Sequence, residues 1–194
     1  MPNYLGLDVS LSNTGWCLLD EEGEVVGLGS IPSKKQVTKV QRVLMIADVF
    51  LNSFISDIKT DTFVLFEGYA MGAKGRTFDI AELGGVLRYI LAQEMAVPVR
   101  NILDVSPTTL KIFVAGKGNA QKDKMMLEVF KTWGIESRCD DEADAVGLAK
   151  MIYMLFHSKG GNPGRVDESL LSLAHQNNYT YPMGKIKRSI RTTC

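Results

Sequence analysis

The sequence predicts an α/β domain: a mixed sheet in which an antiparallel meander continues into parallel strands, with helices on both faces. Three observations predict it. The chain opens with period-two alternation in "NYLGLDVS", and "TFVLFEGY" later runs apolar without a break and ends in an acid. Between and after these strands, apolar residues recur at intervals of three and four, the spacing of amphipathic helices. A strand buried on both faces reads as a continuous apolar run, which is how central parallel strands between helical layers are written.

Each element follows in order. In "NYLGLDVS", Leu5, Leu7 and Val9 share one face, with Gly6 and Asp8 on the other. Two further strands, around Trp16 to Leu19 and Val25 to Ile31, are joined by the turn "DEEGE" and complete a three-stranded meander. From Gln36 to Ile58 the helical stripe is Val40, Val43, Leu44, Ala47, Phe50, Leu51 and Phe54. The apolar strand ending at Glu67 comes next, then a helix over about Phe78 to Glu94 and a short strand in "VRNILDVS". "SPTTLKIFVAG" has a capping serine followed by Pro107, so a short helix is expected there. Another helix begins at Asn119 and stops at Gly134, and a last long one spans about Glu142 to Phe156. The break "SKGGNPGR" ends the predicted domain, 1–158; residues 159–194 form a basic extension, with one short helix around Glu168 to His175.

Composition narrows the function. The 194 residues are 45% hydrophobic and 23% charged, values of an ordinary globular domain. With 22 basic against 22 acidic residues, the chain is no general coat for nucleic acid. Charge is nevertheless clustered. Lys111, Lys117, Lys122 and Lys124 fall close together with Asp123 as the sole acid among them, and the end of the chain carries Lys185, Lys187, Arg188 and Arg191. Such patches suit contacts with phosphates at chosen places. Cys17, Cys139 and Cys194 are far apart and form neither a disulfide framework nor a zinc pattern. No apolar run approaches the roughly 20 residues of a membrane span, and no leader pattern opens the chain, so a cytoplasmic location is expected.

The acids carry the chemistry. "CDDEADAVGLA" places Asp140, Asp141, Glu142 and Asp144 within five positions at the start of the last helix. Helix N-termini favour acids, by up to about 1 kcal/mol each, and that role suffices for Asp140 and Glu142. Asp141 and Asp144, at i and i+3, lie on one helix face about 5 to 6 Å apart. Asp8 and Glu67 each end a strand; if those strands are parallel neighbours, their carboxylates meet at one sheet edge. Small residues Ala143, Ala145, Gly147 and Ala149 would let the helix lie close against the sheet and bring all four acids together. Grouped carboxylates bind hard divalent cations of the kind used in phosphodiester hydrolysis.

The ordered stretches "LGLDVSLSNTGW", "FVLFEGYAMGAKG", "SPTTLKIFVAGKGNAQKDKM" and "DDEADAVGLA" resemble the RuvC family of Holliday-junction resolvases over about residues 3 to 156. The resemblance implies an RNase H-like five-stranded mixed sheet and a metal-dependent endonuclease acting in DNA recombination and repair. It assigns Asp8, Glu67, Asp141 and Asp144 as catalytic acids and metal ligands for two Mg²⁺ ions, with Mn²⁺ able to substitute. It places Lys111 and Lys122 near the scissile phosphate, Lys122 with a catalytic part; the basic patch adds Lys117 as an expected DNA contact.

In the family the loop after the glutamate often carries an aromatic wedge. Here it reads "GYAMGAKGR", which leaves Tyr69 or Met71 for that part and Lys74 and Arg76 for phosphates. Family members cut four-way junctions as homodimers, leaving 5′-phosphate nicks, and the helix bearing Gly84 and Gly85 is a candidate dimer face. For a phage-type member the compartment is the host cytoplasm, and flaps, forks or RNA are alternative substrates. An actin-like ATPase is the reading from another class. It requires a second phosphate-binding hairpin, which the sequence lacks, and "AGKGNAQK" is not a P-loop because GK is not followed by Ser or Thr.

Overall fold

A computed structural model describes residues 2–33, 38–54, 57–68, 76–157 and 165–177. The sheet has five strands, β1 (Tyr4–Asp8), β2 (Asn13–Leu19), β3 (Val25–Pro32), β4 (Phe63–Glu67) and β5 (Ile102–Val105), in the order β3-β2-β1-β4-β5. β2 pairs antiparallel with both β1 and β3, whereas β1, β4 and β5 run parallel. This is the mixed sheet the alternation predicts.

Period two in β1 divides the core. Leu5, Leu7 and Val9, with Val64 and Phe66 of β4, pack on one face against α1 (Lys39–Phe54) and α2 (Arg76–Tyr89), through Val43, Ile46, Phe50, Leu83 and Leu87. Tyr4 and Leu65 face the other layer, built from α3 (Pro107–Ala115), α4 (Lys122–Trp133), α5 (Asp140–His157) and α6 (Arg165–Gln176). α5 lies closest to the sheet, against β1 and β2. A Cβ on Gly6 would fall 2.2 Å from the Ala145 carbonyl oxygen, and one on Gly15 only 2.1 Å from that of Asp141. Two glycines in adjacent strands therefore admit the backbone of α5 to a depth that no side chain at those positions permits.

Some boundaries move. α2 begins at Arg76 and widens into a π turn over Ile90–Glu94, closed by the bond from the Met95 N–H to the Ile90 carbonyl. α4 begins at Lys122, with Gln121 rather than Asn119 at its N-cap and no side-chain cap. α5 starts at Asp140, half a turn before Glu142, so all the acids of "DDEAD" lie within or beside its first turn. Beyond residue 158, α6 packs on α3 and β5, burying Leu170, Leu173 and Ala174 in the same core as α5. Its end closes the open edge of β5. The Asn177 amide accepts from the Asp104 N–H at 2.9 Å and donates to the Asp104 carbonyl at 2.7 Å, and Gln176 accepts from the Ser106 N–H. A side-chain amide thus replaces the neighbouring strand that an edge otherwise invites. Among the described residues, no helix is long and apolar enough to cross a membrane.

Candidate active site

Parallel pairing of β1 with β4 aligns Leu7 with Phe66, so the next residue of each strand, Asp8 and Glu67, falls side by side at the carboxyl end of the sheet. In open α/β sheets that end is where ligands bind. α5 then delivers Asp141 and Asp144 from its first turns. All four acids, with Lys111, Lys122 and Asp140, line one cavity of about 220 Å³.

The electrostatics are those of crowded, dry carboxylates. Asp8 is buried and held well above the usual carboxylate range, first by desolvation and then by the charges of Glu67 and Asp144. It shares a hydrogen bond with Glu67, whose own pKa is also raised by burial and is moderated by that bond and by Lys111. Asp144 is pushed up to about 7, chiefly by burial, then by Glu67. Asp141 is raised by desolvation, against which an amide bond from Asn13 acts.

This donor set suits a hard divalent cation. It consists of carboxylate oxygens, and among the described residues Asp144 Oδ1 is buried without a hydrogen-bond partner, an atom whose desolvation a cation would compensate. Among the described residues, no three of these side chains yet close to ligation distance around a single point.

Other predicted residues are distributed more widely. Lys122 Nζ forms an ion pair with Asp140 at the cavity rim and remains largely exposed, and its pKa is raised by that partner. The α3–α4 turn opens a neighbouring cavity of about 430 Å³, where Lys117 lies with Asn119, Gln121 and Lys124. Arg76 is the first residue of α2. Tyr69, Met71 and Lys74 lie outside the described residues.

Two residues at the site differ from or escape the sequence reading. Asp140 does not point away as a plain helix-start acid: because α5 begins at it, it faces the cavity and holds Lys122. Glu142 does serve the helix start, buried and accepting the Arg138 N–H at 2.8 Å. Asn13 has no expected part, yet its Nδ2 donates to Asp141 Oδ2 at 2.7 Å. Its place two residues before Gly15, on the same face of β2, was the available signal.

No family model matches the chain. Curated relatives named crossover junction endodeoxyribonuclease RuvC are similar over 75% of it. The protein from Chloroflexus aggregans is 29% identical over 150 residues, covering 88% of that relative. The one from Nitrobacter hamburgensis is 29% identical over 156 residues, covering 85%. Among solved structures, Thermus thermophilus RuvC superposes with a TM-score of 0.63 at 20% identity, over 78% of this chain and 94% of that one. The same protein in complex with Holliday junction substrate gives 0.62 at 19% identity, over 76% and 90%.

Proposed function

We propose, on the premise that this chain is a relative of RuvC, that it is a crossover junction endodeoxyribonuclease, hydrolysing phosphodiesters at the crossover of four-way DNA junctions. The observation that carries this reading is the cavity at the ends of β1 and β4. It joins four carboxylates from three elements with two lysines, a lining of oxygen donors and cationic groups that suits divalent ions and a phosphate rather than an apolar ligand.

Asp8, Glu67, Asp141 and Asp144 would hold the divalent cations, two Mg²⁺ with Mn²⁺ as substitute. Bound there, such ions lower the pKa of water and neutralise charge developing on the phosphate. The chain's own residues supply the rest. The buried acids give a dry floor on which electrostatic interactions are strong. Lys111, close enough to moderate Glu67, faces the cavity from α3 and offers a positive charge to a phosphate oxygen. Lys122 exchanges Asp140 for a second phosphate oxygen as DNA enters. Lys117, in the α3–α4 turn, meets the backbone further along the strand, and Tyr69, Met71 and Lys74, with Arg76 at the start of α2, would contact DNA near the junction core.

Resolution requires two cuts and therefore two sites, so the working unit is a homodimer. α2 offers the face. Phe78, Glu82, Gly85 and Tyr89 fall on one exposed stripe, with Phe78 79% and Tyr89 61% accessible, whereas Gly84 is buried, and among the described residues nothing lies within 4 Å of where a Gly85 Cβ would be. Large exposed aromatics on a helix that otherwise covers the core are the composition of an interface.

The test compares a synthetic immobile four-way junction, a flap and a linear duplex, each with Mg²⁺ or EDTA, beside an Asp8→Asn variant. Paired, ligatable nicks with 5′-phosphate on the junction, dependent on metal and Asp8, are expected. Equal or faster cutting of the flap would move the reading to a general branched-DNA nuclease, and no DNA cleavage by folded protein would refute it.

A further inference from the structure

We infer that Asn13 is a positioning residue that holds Asp141 in place for cation binding, through the bond from its Nδ2 to Asp141 Oδ2. The inference rests on the metal-site reading given above and goes beyond the four acids. Three features of the structure carry it.

The first is the bond itself. At 2.7 Å it is among the shorter side-chain bonds of the molecule, it joins residues 128 apart in sequence, and it ties β2 to the first turn of α5. Asn13 Nδ2 also lies 3.5 Å from Cys139 Sγ, the residue that precedes the helix. The amide therefore addresses the start of α5 at two points.

The second is the rigidity of its base. Asn13 follows the β1–β2 loop, which is fastened to the end of β3 and to α1. Ser33 N–H donates to the Ser12 carbonyl at 3.1 Å, and Arg42 donates through Nε to Ser33 Oγ at 2.8 Å and through Nη2 to the Leu11 carbonyl. Inside the loop, Thr14 Oγ1 donates to the Ser10 carbonyl at 2.8 Å. Two residues further along the same strand face, Gly15 seats the Asp141 backbone. Asp141 is thus located twice by β2, its main chain by a glycine and its carboxylate by an amide.

The third is chemical type. Asp8, Glu67, Asp140 and Asp144 already crowd Asp141, so another acid would add repulsion and a basic residue would compete with a cation. An amide donates a hydrogen bond without charge. It fixes one oxygen of Asp141 while leaving the anionic character of the group intact, which is how partners of metal-binding carboxylates act.

The experiment uses the full-length protein with Asn13→Ala and Asn13→His, the second restoring an N–H of similar reach. Mn²⁺ binding is measured by calorimetry, cleavage of a four-way junction is titrated with Mg²⁺, and junction affinity and melting temperature are taken in EDTA. For Asn13→Ala, Mn²⁺ affinity should fall by roughly ten- to a hundredfold. The Mg²⁺ concentration for half-maximal cleavage should rise in parallel. The rate at saturating Mg²⁺, the junction affinity in EDTA and the melting temperature should stay close to those of the wild type. Asn13→His should recover most of the metal affinity. Unchanged Mn²⁺ affinity in Asn13→Ala overturns the inference, as does a fall in melting temperature with no change in metal dependence. A wild-type protein that binds no Mn²⁺ overturns the metal reading and this inference with it. Wild-type binding with an indifferent Asn13→Ala overturns the inference alone.

Discussion

Asp144→Asn should stabilise the metal-free protein while abolishing metal-dependent cleavage, and the gain should depend on pH in a defined direction. Asp144 rises from an ordinary 3.8 to about 7 in the folded state, mainly through burial. A carboxyl whose folded pKa is raised binds its proton more tightly in the native than in the unfolded chain. Its contribution is fully present below pH 4 and is lost as pH climbs through the folded value. The loss at full ionisation is on the order of 4 kcal/mol, and about 2.5 kcal/mol of it falls between pH 5 and pH 8. Asparagine keeps the shape and cannot ionise. In EDTA, the melting temperature of Asp144→Asn should therefore exceed that of the wild type by a margin that widens by roughly 5 to 10 °C from pH 5 to pH 8. Excess Mg²⁺ at pH 8 should raise the wild type and leave the variant nearly unmoved, closing the gap. A gap independent of pH, or a wild type more stable than the variant in EDTA at pH 8, would refute the account of a cavity held under charge strain.

Other expectations follow from the same geometry. Lys122→Ala should lower the cleavage rate by about a hundredfold while junction affinity changes only a few-fold, as for loss of one charge-stabilising donor; weaker binding with an intact rate would make Lys122 a backbone anchor. Gly15→Ala must displace the first turn of α5, since its Cβ would lie 2.1 Å from the Asp141 carbonyl oxygen. A loss of about 3 kcal/mol or more in denaturant unfolding is expected. Leu170→Ala and Leu173→Ala, both fully buried, should each cost about 2 to 4 kcal/mol if α6 is part of the cooperative unit. Wild-type unfolding midpoints in both would show α6 to be a detachable appendage.

Much of this site was legible because its parts are local. Period two in β1 and the apolar run of β4 each ended on an acid, and the parallel pairing that brings Asp8 beside Glu67 needed only that the strands be neighbours. The i, i+3 spacing of Asp141 and Asp144 is a property of any helix. Asp140 was misread because the helix was expected to begin after it: once α5 includes it, Asp140 stands four residues ahead of Asp144 and therefore on the same helix face. Capping acids at consecutive positions do not say which of them is first. α6 was half visible for another reason. Leu170, Leu173 and Ala174 form a stripe at three- and four-residue spacing, but the polar residues around them lower the average hydropathy of the segment. The amide cap on β5, between residues 73 apart, left no local trace.

Asn13 shows what the remaining gap consists of. A residue that acts by touching another across the fold has no periodicity, and its type is dictated by its partner's charge rather than by its own element. The acids at this site could be found one by one because each terminates a regular element. Their shared cost, the raised proton affinities of Asp8, Glu67, Asp141 and Asp144, exists only once β1, β4 and α5 are assembled. The close seating of α5 on Gly6 and Gly15 therefore serves two ends through one geometry. It buries Ala145 and Ala149 against the sheet, and it gathers like charges into a space where a bound cation would relieve them. Loosening that seat would ease the repulsion and, for the same reason, weaken the attraction for metal.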